Sequence, residues 1–348
     1  MKKIKILHLL SSNRFSGAEN VVFQIINMMK NESEFELIYC SCDGQIREAL
    51  KEQGIEFVPL NDITINEVKR VIREQRPDII HAHDMRASLI AAITCRKTPL
   101  ISHIHNNNYD SRGLSLKSIG YYFAAKKAKH IFWVSQSSFD GYFFNKYFIN
   151  KSTVLYNIID TVALETKMGT DDNTYNYDVV YVGRLTSPKN PQRLIQVFSK
   201  IVEQLPSVKI AVIGTGDLEK RTKDLSSELL LDENVSFLGF QNNPLKILHD
   251  SKLMMMTSRW EGTPMCALEA MALGVPIVST PTDGLKELIE NDRTGYLSDE
   301  DNMLAKRAID IIIDSELHKK LSECAKSTSQ RINAVEPYRN TILKIYKN

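Results

Sequence analysis

Residues 78–104, DIIHAHDMRASLIAAITCRKTPLISHI, place two short apolar runs, 78–81 and 99–102, on either side of the helical pattern Ala87–Thr94. A strand that is apolar at consecutive positions, not alternate ones, has both faces covered. Two such strands joined by a helix-length crossover form a βαβ unit, and repeated units make a parallel sheet with helices on each side.

The same rhythm extends both ways. Strand-like runs at 4–10, 35–41, 55–58, 130–134 and 152–155 are separated by helical patterns such as Ala18–Lys30 and Ile65–Glu74. At 164–176, LETKMGTDDNTYN, the periodicity lapses into small and polar residues, which reads as a linker. It then restarts with strands at Asp178–Val182, Lys209–Ile213, Val235–Leu238, Leu253–Met256 and Pro276–Ser279, and 300–348 reads as helical. The expected organisation is α/β: two doubly wound domains, 1–163 and 177–331, with 332–348 as a closing helix. A crevice between the two domains is then the expected ligand site.

A chain of 348 residues is long for one core and comfortable for two. Its five cysteines, Cys40, Cys42, Cys95, Cys266 and Cys324, are scattered and odd in number, which argues against a disulfide framework and for a reducing compartment. No second Cys or His pair stands near Cys40 and Cys42 to complete a zinc site. The first apolar run, 4–10, is too short to cross a bilayer, carries a charge and a histidine (Lys5 and His8) and reads as a buried strand, so a cytoplasmic location is expected. Net charge is +2, yet residues 112–151 carry seven basic side chains against one acidic, Asp140. That stretch interleaves Lys117, Lys126, Lys127, Lys129, Lys146 and Lys151 with Tyr121, Tyr122, Phe123, Phe143, Phe144, Tyr147 and Phe148. The composition suits an anionic membrane surface. It also suits single-stranded nucleic acid, or core aromatics beneath a solvated basic face.

The segment richest in chemistry is SRWEGTPMCALEAMALGVP, residues 258–276. It follows an apolar strand and opens a helix with Pro264 in the first turn, where a missing N–H costs nothing. The free N–H groups of Met265 and Cys266 suit a diphosphate. A carboxylate in such a site repels phosphate and needs another task. Accepting hydrogen bonds from ribose or sugar hydroxyls is one that Glu261 and Glu269 could perform.

This segment resembles the E-x7-E signature of glycosyltransferase family 4, the large retaining group with the GT-B fold. The resemblance implies that Glu269 binds the ribose and Glu261 approaches the donor sugar, with Gly262, Thr263, Pro264, Met265 and Cys266 around the donor. YVGRLTSPKN, 181–190, is similar to the family's phosphate-grip motif, whose Gly, Arg and Lys fall on Gly183, Arg184 and Lys189. Two cations after a strand-end glycine also meet the need of a departing diphosphate for charge neutralisation. Further similar pieces are VIGTGDL at 212–218, which brings Gly214 to the donor, FLGF at 237–240, SGAE at 16–19, PDIIHAH at 77–83 and VLYNIID at 154–160. The pattern departs from the family at Thr263-Pro264, Ser16-Gly17 and Asn157-Ile158, though Gly17 can still let backbone approach a phosphate or sugar.

His105 stands just past an apolar run, where α/β sites form, and the resemblance places a histidine there near the transferring carbon. His103 would face the same side; His81 and His83 close the preceding run. Gly214-Thr-Gly216 lacks the third glycine of a dinucleotide fingerprint. The function implied is transfer of a sugar, as by a hexosyltransferase, from a nucleoside-diphosphate sugar such as a UDP-sugar to a hydroxyl of a glycan. That acceptor is expected to be lipid-linked, in surface polysaccharide assembly. The resemblance also implies two Rossmann-type domains facing a cleft, acceptor in the first and donor in the second, with Val335–Tyr346 returning to the first. Catalysis falls to Glu261, His105, Arg184 and Lys189, with no metal, no cofactor and no nucleic-acid partner. A GT-B nucleotide-sugar epimerase and a non-catalytic nucleotide-sugar-binding partner are the alternatives.

Overall fold

The computed structural model describes residues 3–13, 17–106 and 109–348. They form two compact units: residues up to Asn157 together with Val335–Asn348, and Ile158–Ala334. Ser16 lies outside the described residues.

The first unit is built on seven strands, β1 (Ile4–Leu9), β2 (Phe35–Cys42), β3 (Glu56–Leu60), β4 (Ile79–His83), β5 (Leu100–Ile104), β6 (His130–Trp133) and β7 (Ser152–Val154). Their order is β3-β2-β1-β4-β5-β6-β7, with every neighbouring pair parallel. Every residue of β4 and β5 is buried, as the unbroken apolar runs require. Their crossover helix, Met85–Thr94, starts at Asp84, whose side chain accepts from the Ala87 N–H at 2.7 Å. The helix Val335–Lys347 also belongs to this unit. It buries Tyr338, Ile342 and Tyr346, and Arg339 pairs with Glu32.

The second unit carries β8 (Val179–Val182), β9 (Ile210–Ile213), β10 (Val235–Gly239), β11 (Leu253–Met256), β12 (Ile277–Ser279) and β13 (Gly295–Leu297). The order is β10-β9-β8-β11-β12-β13, again all parallel. Helix Pro191–Gln204 turns Leu194, Ile195, Val197, Phe198 and Ile201 into the core. The winding reverses between β8 and β11, and in sheets of this kind ligands bind off the carboxyl ends of the strands at that point.

Two boundaries differ from the sequence reading. The units divide at Asn157/Ile158, and Thr161–Met168, at the edge of the stretch read as a 164–176 linker, is a helix of the second unit. Asp160 caps it by accepting from the Ala163 N–H, but it buries only Leu164, so its periodicity is hard to see. Pro264 is the residue before the helix Met265–Ala272, extended at φ −72° and ψ 123°, and does not lie in its first turn. An extended residue there delivers the chain into the helix with the N–H groups of Met265 and Cys266 left without partners in the helix.

Candidate active site

The loop after β8 and the loop after β11 meet at this reversal. Asn190 takes a left-handed conformation, φ 52°, ending a short 3₁₀ turn, Ser187–Lys189, and Pro191 opens the next helix. The two loops are stitched by one backbone and one side-chain bond: the Arg259 N–H donates to the Pro188 carbonyl at 2.8 Å, and Thr257 Oγ1 to the Asn190 carbonyl at 3.1 Å.

This stitching brings Lys189 against Glu261. Lys189 Nζ donates to Oε1 and Oε2 at 2.6 and 2.7 Å, and Ser258 Oγ donates to Oε1 at 2.6 Å. Glu261 is 7% exposed and Lys189 18%. The carboxylate is therefore held by three charge-assisted bonds in a place that excludes most water. Ser258 is held in turn, its carbonyl accepting from Thr280 Oγ1 at 2.7 Å. Arg184 is exposed, its carbonyl accepting from buried Tyr181 Oη at 3.0 Å.

Gly183 and Gly214 are not simply open loop positions. Gly214 sits at φ +130°, and a Cβ there would lie 2.0 Å from the Gly183 carbonyl oxygen. The Gly183 N–H donates to the Ile213 carbonyl at 3.0 Å. The glycine of 214 therefore serves backbone contact between neighbouring strand ends. Across the site, a Cβ on Gly284 would fall 1.3 Å from the Gly262 carbonyl oxygen. Gly262, Thr263, Pro264 and Met265 are all buried.

Cys266 Sγ is held as a thiol, its pKa pushed up to about 12, chiefly by burial and against the pull of Lys189. Glu269 is partly buried on the same helix, and burial raises its carboxyl above the ordinary range while the charge of Lys167 opposes this. In its ionised form this carboxylate can accept from hydroxyl donors.

The remaining two predicted residues lie in the first unit. Gly17 opens helix Gly17–Met29, the first helix after β1. His105 follows β5 and is 7% exposed, with Nε2 2.9 Å from His83 Nδ1. Burial drives its pKa down to about 3, so the ring is neutral. Two triads, His8-His81-His83 and His83-His103-His105, place their nitrogens within 4.8 Å of one another. Imidazole lone pairs lie in the ring plane, and His81 stacks on His83 at 4.3 Å as His103 does on His105 at 4.2 Å. Lone pairs in stacked planes do not converge on one ion.

The structure brings Gly183, Lys189, Gly214, Glu261, Gly262, Thr263, Pro264, Met265 and Cys266 together in the second unit, with Arg184 at the rim. Ser258 and Gly284 were missed by sequence reasoning, and His8 was given no role by it. Only His8 carried a signal, as a histidine inside a strand that is apolar apart from Lys5.

Two all-parallel doubly wound sheets define the GT-B fold, and the Anabaena protein HepE in complex with UDP-glucose shares it. That structure aligns with a TM-score of 0.85 at 21% identity, covering 99% of each chain. Residues 15–163 match the family described as Glycosyltransferase Family 4, and 168–328 match Glycosyl transferases group 1. The chain belongs to the family 4 glycosyltransferases. An uncharacterized glycosyltransferase of Methanocaldococcus jannaschii is 28% identical over 73% of this chain and 76% of its own length. The UDP-Gal:alpha-D-GlcNAc-diphosphoundecaprenol alpha-1,3-galactosyltransferase of Escherichia coli is 24% identical, over 85% and 84%. Among the described residues, no helix is long and apolar enough to cross a membrane.

Proposed function

We propose that this glycosyltransferase moves a hexose from a UDP-sugar to a hydroxyl of a lipid-linked glycan, with retention and without a metal, at the inner face of the membrane. The observation that carries the reading is the Lys189–Glu261–Ser258 cluster set beside the amino end of helix Met265–Ala272. Helix N–H groups of Met265 and Cys266, with Arg184 and Lys189, receive the diphosphate. Glu269 accepts from the ribose hydroxyls. The sugar hydroxyls approach Glu261, whose hold on Lys189 loosens as charge builds on the leaving diphosphate. A catalytic role is assigned to His105 as well, a residue of the acceptor-binding first unit. A UDP-glucose complex of a protein with the same fold and a relative named for an undecaprenol-linked acceptor support the choice of donor and acceptor.

Calorimetry with UDP tests the reading. Glu269→Ala should weaken UDP binding roughly tenfold to a hundredfold, the worth of hydrogen bonds to a charged group, about 1.5–3 kcal/mol. Because burial raises the Glu269 carboxyl, its ionisation is completed only as pH rises above the ordinary carboxylate range. Wild-type affinity should therefore climb with pH through that interval, and the climb should vanish in Glu269→Gln. A wild type that does not bind UDP, or a Glu269→Ala variant that binds it as well, would discard the donor site.

The acceptor's location has its own support. Of the aromatic residues in 112–151, Tyr121, Phe132, Trp133, Tyr142 and Phe148 are core. Phe123, Phe143 and Tyr147 are 62%, 50% and 73% exposed, beside Leu116 at 92%. Lys127 and Lys151 are tied to backbone carbonyls, whereas Lys126, Lys129 and Lys146 are exposed. A lysine near anionic lipid contributes about 1 kcal/mol, so reversing these three to Glu should weaken vesicle binding by roughly a hundredfold or more. Flotation with anionic vesicles should weaken with salt. Equal flotation of wild type and triple variant would make the face a merely solvated one.

A further inference from the structure

Ser258 follows the carboxyl end of β11, where three consecutive residues are tied to the loops on both sides. Thr257 Oγ1 donates to the Asn190 carbonyl and the Arg259 N–H to the Pro188 carbonyl, both on the β8 side. Ser258 is tied to the β12 side. The Thr280 N–H donates to the Met256 carbonyl at 3.1 Å, continuing the β11–β12 ladder past the pair Met256↔Ser279. Thr280 Oγ1 then reaches further along, to the Ser258 carbonyl at 2.7 Å. Thr257, Ser258 and Thr280 are 0–2% exposed. The backbone at Ser258 cannot shift without breaking bonds on one side or the other.

Ser258 Oγ is therefore a donor at a fixed position, and it serves one oxygen of Glu261. Oε1 accepts from both Ser258 and Lys189, at 2.6 Å each, whereas Oε2 accepts from Lys189 alone among the described residues, at 2.7 Å. A carboxylate oxygen has two lone pairs. Oε1 is filled, and Oε2 keeps one acceptor position for a hydroxyl. The two donors differ in what can take them away. Lys189 carries a full charge and is 18% exposed, so the diphosphate that it serves competes with Glu261 for it. Ser258 is neutral and 2% exposed, out of reach of a phosphate.

We propose that Ser258, fixed by Thr280, is a positioning residue that keeps Glu261 aligned when the diphosphate draws Lys189 away, with Oε2 left open to the sugar. This rests on the reading of Lys189 and Glu261 given above. A glutamate released by its lysine would have several staggered arrangements to choose from. With Oε1 anchored on Ser258 it keeps one charge-assisted bond, and the carboxylate is already oriented when the sugar begins to transfer. Lys189, Ser258, Glu261 and Thr280 all belong to the second unit, so the arrangement is complete within it.

The test begins with a crystal structure of the full wild-type chain with UDP. Lys189 Nζ is expected on the diphosphate, with Glu261 Oε1 still on Ser258 Oγ and its side chain unturned. UDP bound away from Lys189 would remove the donor-site reading. UDP on Lys189 with Glu261 turned from Ser258, or with both Lys189–Glu261 bonds intact, overturns the positioning role alone. Ser258→Ala should bind UDP within about twofold of wild type yet lower kcat about tenfold, since one hydrogen bond to a charged group is lost at the sugar end. Turnover is followed as UDP released from whichever of UDP-glucose, UDP-galactose and UDP-N-acetylglucosamine the wild type consumes. Thr280→Val removes the hydroxyl at nearly constant shape and should lower kcat severalfold, whereas Thr280→Ser keeps the hydroxyl and should restore it. A Ser258→Ala variant that loses thermal stability but keeps the wild-type kcat would make the bond structural and overturn the proposal. Equal turnover of the Val and Ser variants overturns the part given to Thr280.

Discussion

Lys189→Ala is expected to destabilise the second unit by about 3–5 kcal/mol, because removing one partner leaves the other as an uncompensated buried charge. The size follows from placement. Glu261 is 7% exposed, and two of its three side-chain bonds come from Lys189, leaving Ser258 as the remaining donor. Glu261→Gln keeps the Ser258 bond and removes the charge, so it should be far milder, and placed in the Lys189→Ala background it should recover part of the loss. With two tryptophans in the chain, a Trp133→Phe background leaves Trp260, in the loop of the site itself, to report denaturant unfolding of this unit. Turnover should fall further than folding explains, by about 10²–10³-fold, since a preorganised cation at a developing charge contributes that much. An unshifted unfolding midpoint with KM alone altered would make Lys189 a surface cation that helps ground-state binding.

The second large effect is expected at Gly284, which no chemical argument would select. Its missing side chain accommodates the Gly262 carbonyl: an added Cβ would sit 1.3 Å from that oxygen. Both partners are backbone, so neither can swing aside. Gly284→Ala must push the 262–264 segment away, and with it Glu261 on one side and the N–H groups of Met265 and Cys266 on the other. Overpacking of this kind costs about 1–3 kcal/mol or more. A displacement of about 1 Å at the reacting groups should lower turnover about a hundredfold. Gly169→Ala, where the nearest atoms to an added Cβ are 3.5 Å away, is the control and should change little. Wild-type UDP affinity and turnover in Gly284→Ala would mean that the 262–264 loop is slack and does not place the donor.

These two positions show where sequence stopped being legible. Strands β4 and β5 could be read because both faces are buried and the runs are unbroken. Glu261 and Lys189 could be read as residue types near strand ends, but not as a pair. They are 72 residues apart, and only the sheet order β8-β11 makes them neighbours. Gly284 was invisible because its partner is a carbonyl, and carbonyls leave no mark in sequence. The histidines were each legible as residues, His8 without a role, yet their layering depends on the register His8↔His81 and His83↔His103, which no pattern within one strand encodes. Pro264 was placed one residue too far into its helix because proline is at home on both sides of that boundary.

The first unit is completed by residues that follow the whole of the second, and this sets an order on synthesis. At roughly 5–20 residues per second, about 10–40 s separate the emergence of Asn157 from that of Tyr346. The second unit leaves the ribosome with every one of its strands before Tyr346 can reach His81. For that interval the surface that later receives Tyr338, Ile342 and Tyr346 is open to water. The earlier-made half of the protein is thus the later one to mature, and it is the half that calls for chaperone cover during translation.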